Sequence, residues 1–90
     1  MNEMQRKNVI RETFDAVSSG YDGEALRFFP ASATRLAAML SLRGDEEVLD
    51  VATGTGHMAI ALASRLPRGQ VRAVDFSAGM LEQARRKAAS

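Results

Sequence analysis

The sequence predicts an α/β unit in which helices come first and a β-α-β-α arrangement with parallel strands follows. Two short apolar runs, residues 48–52 and 71–74, are typical of buried parallel strands. Between and after these runs, apolar residues recur every three or four positions, as they do along one face of an amphipathic helix. A strand–helix–strand unit of this length joins its strands by a right-handed crossover, so the two strands are expected to be parallel.

Residues 1–45 are expected to form a helical cap or lid segment. A first helix is predicted over residues 3–18, with Asn2 as its cap. The apolar face of this helix carries Val9, Ile10, Thr13, Phe14 and Val17. Pro30 is expected to open a further helix that ends at Gly44. The apolar face of that helix carries Leu36, Met39 and Leu40.

Residues 46–90 are expected to form the β-α-β-α unit, whose first turn is rich in glycine. The first strand runs directly into the Thr-Gly-Thr-Gly sequence of residues 53–56. The helix that follows is predicted to stop at the Pro-Arg-Gly sequence of residues 67–69. The second strand ends at Asp75, and Ser77 is a natural cap for a last helix.

The glycine-rich turn and Asp75 together predict a site for a nucleoside cofactor. Gly54 and Gly56 tolerate the positive φ of a sharp turn and let a ligand approach the backbone. Neighbouring strand ends bring Asp75 close, where its carboxylate can accept hydrogen bonds from both hydroxyls of a ribose. Each feature alone is equally typical of a plain turn or a helix cap, but their order along the chain favours a cofactor site.

Two classes of cofactor fit this pattern. The series Gly54-x-Gly56-x-x-Ala59, followed by Asp75, also matches the dinucleotide fingerprint. Asp50 is poorly placed beside a pyrophosphate but well placed near the cationic end of a methionine moiety. Dinucleotide-binding folds also commonly begin with their first strand, whereas a helical segment comes first here. These two features favour S-adenosylmethionine over NAD.

Three segments resemble motifs of the class I S-adenosylmethionine-dependent methyltransferases. VLDVATGTG is similar to their first motif, D/E-x-G-x-G-x-G, and VDFSAGML to their second, V-D-x-S-x-x-M-L. FDAVSSGYD resembles the F-D-x-x-A-x-x-Y-D segment of the ubiquinone/menaquinone-biosynthesis C-methyltransferase group and related small-molecule methyltransferases. The resemblance covers residues 14–88. It departs from the family at Ala52, where a glycine usually stands, and at Ser18, where an alanine usually stands.

The resemblance implies the amino-terminal portion of a Rossmann-like class I fold, and an enzyme that uses S-adenosylmethionine to methylate a small-molecule acceptor. It implies that Asp50 approaches the methionine amino group, that Asp75 binds the ribose and that Tyr21 lies on a lid. The other positions assigned to the cofactor are Thr53, Gly54 and Gly56 in the loop and Phe76 and Met80 at the adenine. The acceptor pocket of the family is built mostly from later strands. The ninety-residue chain alone is therefore expected to be inactive, and no catalytic residue is assigned.

Composition argues against several other classes. Twelve basic and eleven acidic residues leave a net charge of +1, which gives no reason to expect a nucleic acid or a membrane surface as partner. With no cysteine and one histidine, neither disulfides nor a metal site are expected, and a cytoplasmic location fits. His57 is expected to be a helix residue beside the cofactor, and Asp15 a turn or cap residue. Residues 85–87 are expected to form a solvated helix end.

Two alternatives to a methyltransferase remain, a dinucleotide-binding piece and a non-catalytic module that assembles with other chains. A strand at residues 48–52 that is paired along one edge exposes backbone donors and acceptors on the other edge. Such an edge recruits a further strand. A homo-oligomer, or a partner that supplies the missing strands, is therefore expected.

Overall fold

A computed structural model describes residues 1–20 and 28–89, and these residues form the predicted succession of elements. Two helices come first, and two strands then alternate with two further helices. The elements are α1 (Glu3–Val17), a 3-10 turn (Ser18–Gly20), α2 (Phe28–Met39), β1 (Glu47–Val51), α3 (His57–Ala63), β2 (Gln70–Val74) and α4 (Ala78–Ala89). The predicted α/β class and its β-α-β-α order are confirmed.

The two strands form a parallel pair that determines where the loops after them lie. Val48 is opposite Val71 and Val51 is opposite Val74. The pairing continues beyond β1, because the Thr53 N–H donates to the Val74 carbonyl at 2.9 Å. The carboxyl ends of β1 and β2 therefore lie side by side. Among the described residues, β1 is paired along one edge, by β2.

A small core forms where α2 packs on α3 and where α4 meets the end of α1. Its buried apolar side chains are Ala33, Ala37, Leu62, Leu66 and Met80. The buried face of α2 consists of alanines, whereas Leu36, Met39 and Leu40 on the predicted face are at least half exposed. Small side chains let two helices approach closely, so contact with α3 selects the alanine face.

Three predicted helix boundaries are wrong. α2 begins at Phe28, which places Pro30 in its first turn. N–H groups of the first turn have no partner within the helix, so the N–H that proline lacks costs no intrahelical hydrogen bond. α2 ends before Ser41, whose positive φ of 52° turns the chain in place of Gly44. α3 ends at Ala63, short of its predicted stop.

α1 is stabilised at its start by local hydrogen bonds and joins the rest of the molecule at its end. The Asn2 side chain accepts the Gln5 N–H at 2.7 Å, and the Gln5 side chain accepts the Asn2 N–H at 2.9 Å, which together form a capping box. The apolar side chains of α1 are largely exposed, and its contacts are with α4. No helix in the described part of the chain is both long and apolar enough to span a bilayer.

Candidate cofactor site

The carboxyl edge of the sheet brings the glycine-rich loop against Asp75. The Gly54 N–H donates to Asp75 Oδ2 at 2.7 Å. Asp75 Oδ1 accepts the Ser77 N–H at 2.9 Å, so one carboxylate ties the first loop to the start of α4. Asp75 is only half-buried, and each carboxylate oxygen has further acceptor capacity for a ligand.

Two clefts among the described residues border Gly54. The first, here called the aromatic cleft, has a volume of about 290 Å³ and is lined by Phe14, Ala52, Gly54, Asp75, Phe76 and Met80. The second, here called the α2 cleft, has a volume of about 320 Å³ and lies between α2 and residues 52–58. Ala52 and Gly54 line both clefts, so the two spaces adjoin at the glycine-rich loop.

Phe76 is the more exposed of the two aromatic side chains that line the aromatic cleft. It is 47% exposed, while Met80 is 2% exposed and belongs to the core. The Phe14 ring meets Phe76 edge-on, with 6.0 Å between centroids and 61° between planes, and the Arg11 guanidinium carbon lies 6.0 Å from the Phe76 centroid. Phe76 is thus held by α1 and keeps exposed surface for a flat ligand. Phe14 was predicted on the apolar face of the first helix, but the contacts of Phe14 and Arg11 with Phe76 were not predicted.

Asp50, near the end of β1, and Thr53, in the loop, form a second polar pair. The Thr53 hydroxyl donates to Asp50 Oδ2 at 2.7 Å. Thr53 also lines the α2 cleft, so this pair connects the Asp50 carboxylate to that space. The role assigned to Asp50 at a cationic methionine end stays a prediction.

The two loop glycines meet different structural needs. Gly54 has a φ of +59°, and a Cβ built on it meets no atom of residues 1–20 or 28–89 within 4 Å. Gly56 has a φ of +88°, and a Cβ there would lie 2.9 Å from Ala84 Cβ on α4. Gly54 therefore leaves space open beside the clefts, whereas Gly56 allows α4 to pack on the loop. The predicted cofactor contact of Gly56 stays untested, and its packing role was not anticipated.

Ala52 has an uncommon backbone conformation at the junction of the two clefts. Its φ is +60°, a left-handed value that costs an alanine about 1–2 kcal/mol relative to the right-handed form. This is the position at which the methyltransferase motif usually has glycine. The turn thus keeps the geometry that glycine would adopt, and the methyl group of Ala52 adds to the lining of both clefts.

Lys87 departs from its predicted role. The expectation of a solvated helix end holds for Arg85 and Arg86, which are exposed and pair with Glu82. Lys87 instead donates to the Thr55 carbonyl at 3.1 Å, and its Nζ lies 3.2 Å from His57 Nε2. The last turns of α4 therefore contact and stabilise the glycine-rich loop. Spacing along the sequence could not predict this contact, because Lys87 and Thr55 are 32 residues apart in the chain.

Asp15 acts as a cap, as expected, but the helix that it caps is α4 rather than its own. Its Oδ1 accepts hydrogen bonds from the Ser77 hydroxyl and from the Gly79 N–H, the latter at 2.9 Å. The hydrogen bond from Ser77, followed by that from Gly79, lowers the pKa of the Asp15 carboxyl below its ordinary value. The expected Ser77 cap is also present, since its hydroxyl accepts the Met80 N–H at 3.1 Å.

Tyr21, predicted to lie on a lid, is outside the described residues. Within residues 1–20 and 28–89, no group of three or more His, Cys, Asp or Glu side chains is arranged to hold a metal ion. Of the other predicted positions, Asp50 and Gly56 line neither of the two clefts. The structure brings Gly54, Asp75, Phe76 and Met80 to one cleft, and Thr53 to the adjoining one.

A parallel strand pair whose glycine-rich loop bonds the acid of the next strand defines a Rossmann-like cofactor-binding unit. Residues 48–90 match the methyltransferase domain family. The ubiquinone/menaquinone biosynthesis C-methyltransferase UbiE of Syntrophotalea carbinolica is 41% identical over 78 residues, which cover 82% of this chain and 33% of that protein. The aklanonic acid methyltransferase DauC of a Streptomyces species is 32% identical over 89 residues, with coverages of 98% and 40%. The chain is thus related to the class I S-adenosylmethionine-dependent methyltransferases, as its motifs indicate.

The similarity extends to methyltransferases with different acceptors. The release factor glutamine methyltransferase of Chlorobaculum tepidum is 51% identical over 55 residues, which cover 60% of this chain and 19% of that protein. The chain spans a third of the length of the S. carbinolica relative and two fifths of the Streptomyces relative. The family match over residues 48–90 includes both segments that resemble methyltransferase motifs, VLDVATGTG and VDFSAGML, and the names of these relatives do not agree on an acceptor.

Proposed function

We propose that the aromatic cleft binds S-adenosylmethionine, so that this chain contributes the cofactor site of an enzyme that methylates a small-molecule acceptor. The observation that carries the proposal is the hydrogen bond from the Gly54 N–H to Asp75 Oδ2. This bond holds the Gly54 nitrogen 2.7 Å from the Asp75 carboxylate oxygen, and both residues line the aromatic cleft. Because Gly54 has no side chain, a ligand can approach its main chain there. A ribose can bond the carboxylate there while the rest of the ligand lies against Gly54.

The remaining residues of the site have the chemistry that this ligand needs. Phe76 offers exposed aromatic surface to the adenine, and Asp75 offers acceptor oxygens to the ribose hydroxyls. Asp50, joined to the α2 cleft by Thr53, supplies a negative charge for the methionine ammonium group. When bound, S-adenosylmethionine supplies a methyl group on a positively charged sulfur. The residues of this chain then hold the cofactor in a fixed orientation relative to the acceptor.

The hydrogen bonds of the loop favour S-adenosylmethionine over a dinucleotide. A pyrophosphate is bound at a helix amino terminus by backbone N–H groups that have no other partner. Here the Gly54 N–H donates to Asp75, and the Gly56 N–H donates to the Thr53 carbonyl at 3.0 Å. Both glycine amides of the Gly-x-Gly pattern are therefore already engaged within the protein.

The test is a calorimetric titration of the chain with S-adenosylhomocysteine, S-adenosylmethionine, NAD and adenosine. Both S-adenosyl ligands are expected to bind at least about tenfold more tightly than NAD, since they engage Asp75 without requiring free loop amides. Adenosine, which lacks the amino acid part, serves as the matched ligand and is expected to bind more weakly than S-adenosylhomocysteine. Tighter binding of NAD than of either S-adenosyl ligand would contradict the proposal.

The expected partners and location are part of the same proposal. Among the described residues β1 is paired along one edge, which supports a homo-oligomer or a partner chain that adds strands beside β1. The side chains of Leu49 and Val51 on one face of β1 are 62% and 68% exposed, so the same partner could cover them. A small-molecule acceptor rather than a nucleic acid is supported by the nearly balanced charge of the chain. The absence of cysteine supports the reducing environment of the cytoplasm.

A further inference from the structure

Asp15 belongs to α1, but its carboxylate reaches the start of α4, beside the residues assigned to the ribose and adenine. Oδ1 of Asp15 accepts the Ser77 hydroxyl and the Gly79 N–H. We propose that Asp15 is a positioning residue of the cofactor site, which holds Asp75 in its ligand-binding orientation through Ser77. The inference rests on the proposed function, because the orientation that it explains is that of the ribose-binding carboxylate.

A continuous series of hydrogen bonds connects Asp15 to the glycine-rich loop. Ser77 is fully buried, and its hydroxyl donates to Asp15 while accepting the Met80 N–H at 3.1 Å. The Ser77 N–H donates to Asp75 Oδ1 at 2.9 Å, and Asp75 Oδ2 accepts the Gly54 N–H at 2.7 Å. Both oxygens of Asp75 are therefore oriented by N–H groups, and the position of one of these groups depends on Asp15.

Close packing between α1 and α4 reinforces this series. A Cβ built on Gly79 would lie 2.5 Å from the Ser18 hydroxyl oxygen and 3.2 Å from Asp15 Cα, so the two helices meet directly at this glycine. Ser18 is buried, and its hydroxyl donates to the Asp15 carbonyl at 2.9 Å. The end of α1 thus has one position relative to α4, and in that position the Asp15 carboxylate faces the Ser77 hydroxyl.

The same end of α1 also supports the adenine side of the site. Phe14, the residue before Asp15, contacts the Phe76 ring edge-on. Asp75 and Phe76 are consecutive, so two adjacent residues of α1 orient two adjacent residues of the site. The negative charge of Asp15 at the first turn of α4 also opposes the positive end of that helix dipole. Loss of the Asp15 carboxylate is therefore expected to disturb cofactor binding without removing any group that touches the cofactor.

The first experiment compares Asp15→Ala, Asp15→Asn and Glu12→Ala by titration of the full chain with S-adenosylhomocysteine. Asp15→Ala is expected to weaken binding about tenfold, because a less well oriented Asp75 would lose the equivalent of roughly one hydrogen bond to the ligand. Asp15→Asn retains an oxygen that accepts from both Ser77 and Gly79, and is expected to stay within about threefold of the wild type. Glu12→Ala removes an exposed carboxylate from the same helix and is the matched control, with unchanged affinity expected. Equal affinities for Asp15→Ala and Glu12→Ala would overturn the inference.

Two further measurements separate positioning from a general loss of stability. In an Asp75→Ala background, Asp15→Ala is expected to change affinity less than about threefold, because it acts through the carboxylate already removed. If Asp15→Ala lowered the affinity by the same factor in the Asp75→Ala background as in the wild type, the inference would be overturned. Without ligand, hydrogen exchange at the Gly54 amide is expected to be about tenfold faster in Asp15→Ala than in Glu12→Ala, and equal rates would count against it. A wild-type chain that binds no S-adenosylhomocysteine would refute the proposed function, whereas the exchange rates would still decide whether Asp15 orders Asp75.

A variant that keeps every hydrogen-bonding group gives an independent check. Gly79→Ala places a methyl group against Ser18 and Asp15 and forces α1 away from α4. It is expected to weaken S-adenosylhomocysteine binding in the same direction as Asp15→Ala. Should Asp15→Ala fail to fold, Gly79→Ala carries the test, and unchanged binding by folded Gly79→Ala would contradict the positioning role.

Discussion

Replacement of Asp75 by alanine is expected to lower the affinity for S-adenosylhomocysteine by roughly 30-fold or more. Charge-assisted hydrogen bonds from two ribose hydroxyls to a carboxylate contribute roughly 1.5–3 kcal/mol each before desolvation losses, and a net loss of about 2 kcal/mol gives this factor. The variant also leaves the Gly54 and Ser77 N–H groups without their carboxylate acceptor, so the loop itself loses orientation. Isothermal titration of wild type and variant under identical conditions measures the effect.

The matched control for this prediction is Asp45→Ala. Asp45 is an exposed carboxylate in the loop that precedes β1, at the end of the sheet opposite to Asp75. Its removal changes the net charge equally and is expected to leave ligand affinity unchanged. A decrease of less than about threefold in a folded Asp75→Ala variant would show that Asp75 serves only as a link between the loop and α4.

Gly54→Val is expected to abolish measurable binding of the same ligand. Valine is a β-branched residue and is strongly disfavoured at the φ of +59° that Gly54 adopts. Its Cβ would lie at the border of both clefts, where the described part of the chain places no atom within 4 Å, so its methyl groups would occupy volume proposed for the cofactor. Backbone strain and steric exclusion therefore act in the same direction.

Gly20→Val is the control for this glycine substitution. A Cβ built on Gly20 likewise meets no atom of the described residues, but the φ of Gly20 is outside the left-handed range and this residue lies in the 3-10 turn after α1. Circular dichroism identifies which variants are folded before titration. Wild-type affinity in a folded Gly54→Val variant would refute the assignment of this loop to the cofactor.

The parts of the fold that depend on local sequence could be predicted. The short apolar runs predicted β1 and β2, and the glycines predicted a sharp turn, which the positive φ angles of Gly54 and Gly56 bear out. The meeting of Gly54 with Asp75 followed from parallel pairing, because parallel strands end at one edge of the sheet. Asn2 and Ser77 were predicted as caps from residue type and position, since capping depends on neighbours within one turn.

The features that could not be predicted depend on contacts between distant segments. The Asp15 carboxylate caps α4 because α1 packs across it, and Lys87 reaches Thr55 because α4 returns over the loop. The burial of alanines rather than Leu36 on α2 depends on how closely α3 approaches. Apolar periodicity identifies a helix but does not say which of two faces a neighbouring element will cover.

The most direct test of the central claim is a titration of the isotopically labelled chain with S-adenosylhomocysteine, followed by nuclear magnetic resonance of its backbone amides. We expect the largest ligand-induced shifts at Gly54 and Phe76, which line the aromatic cleft, and at Ser77, whose N–H donates to Asp75 Oδ1. It predicts little change at Gly44 and Gly69, which lie at the other end of the sheet. Saturating shifts centred on Gly44 and Gly69, or no shifts at Gly54 and Phe76 when binding is detected by calorimetry, would contradict the assignment of the cofactor to this cleft.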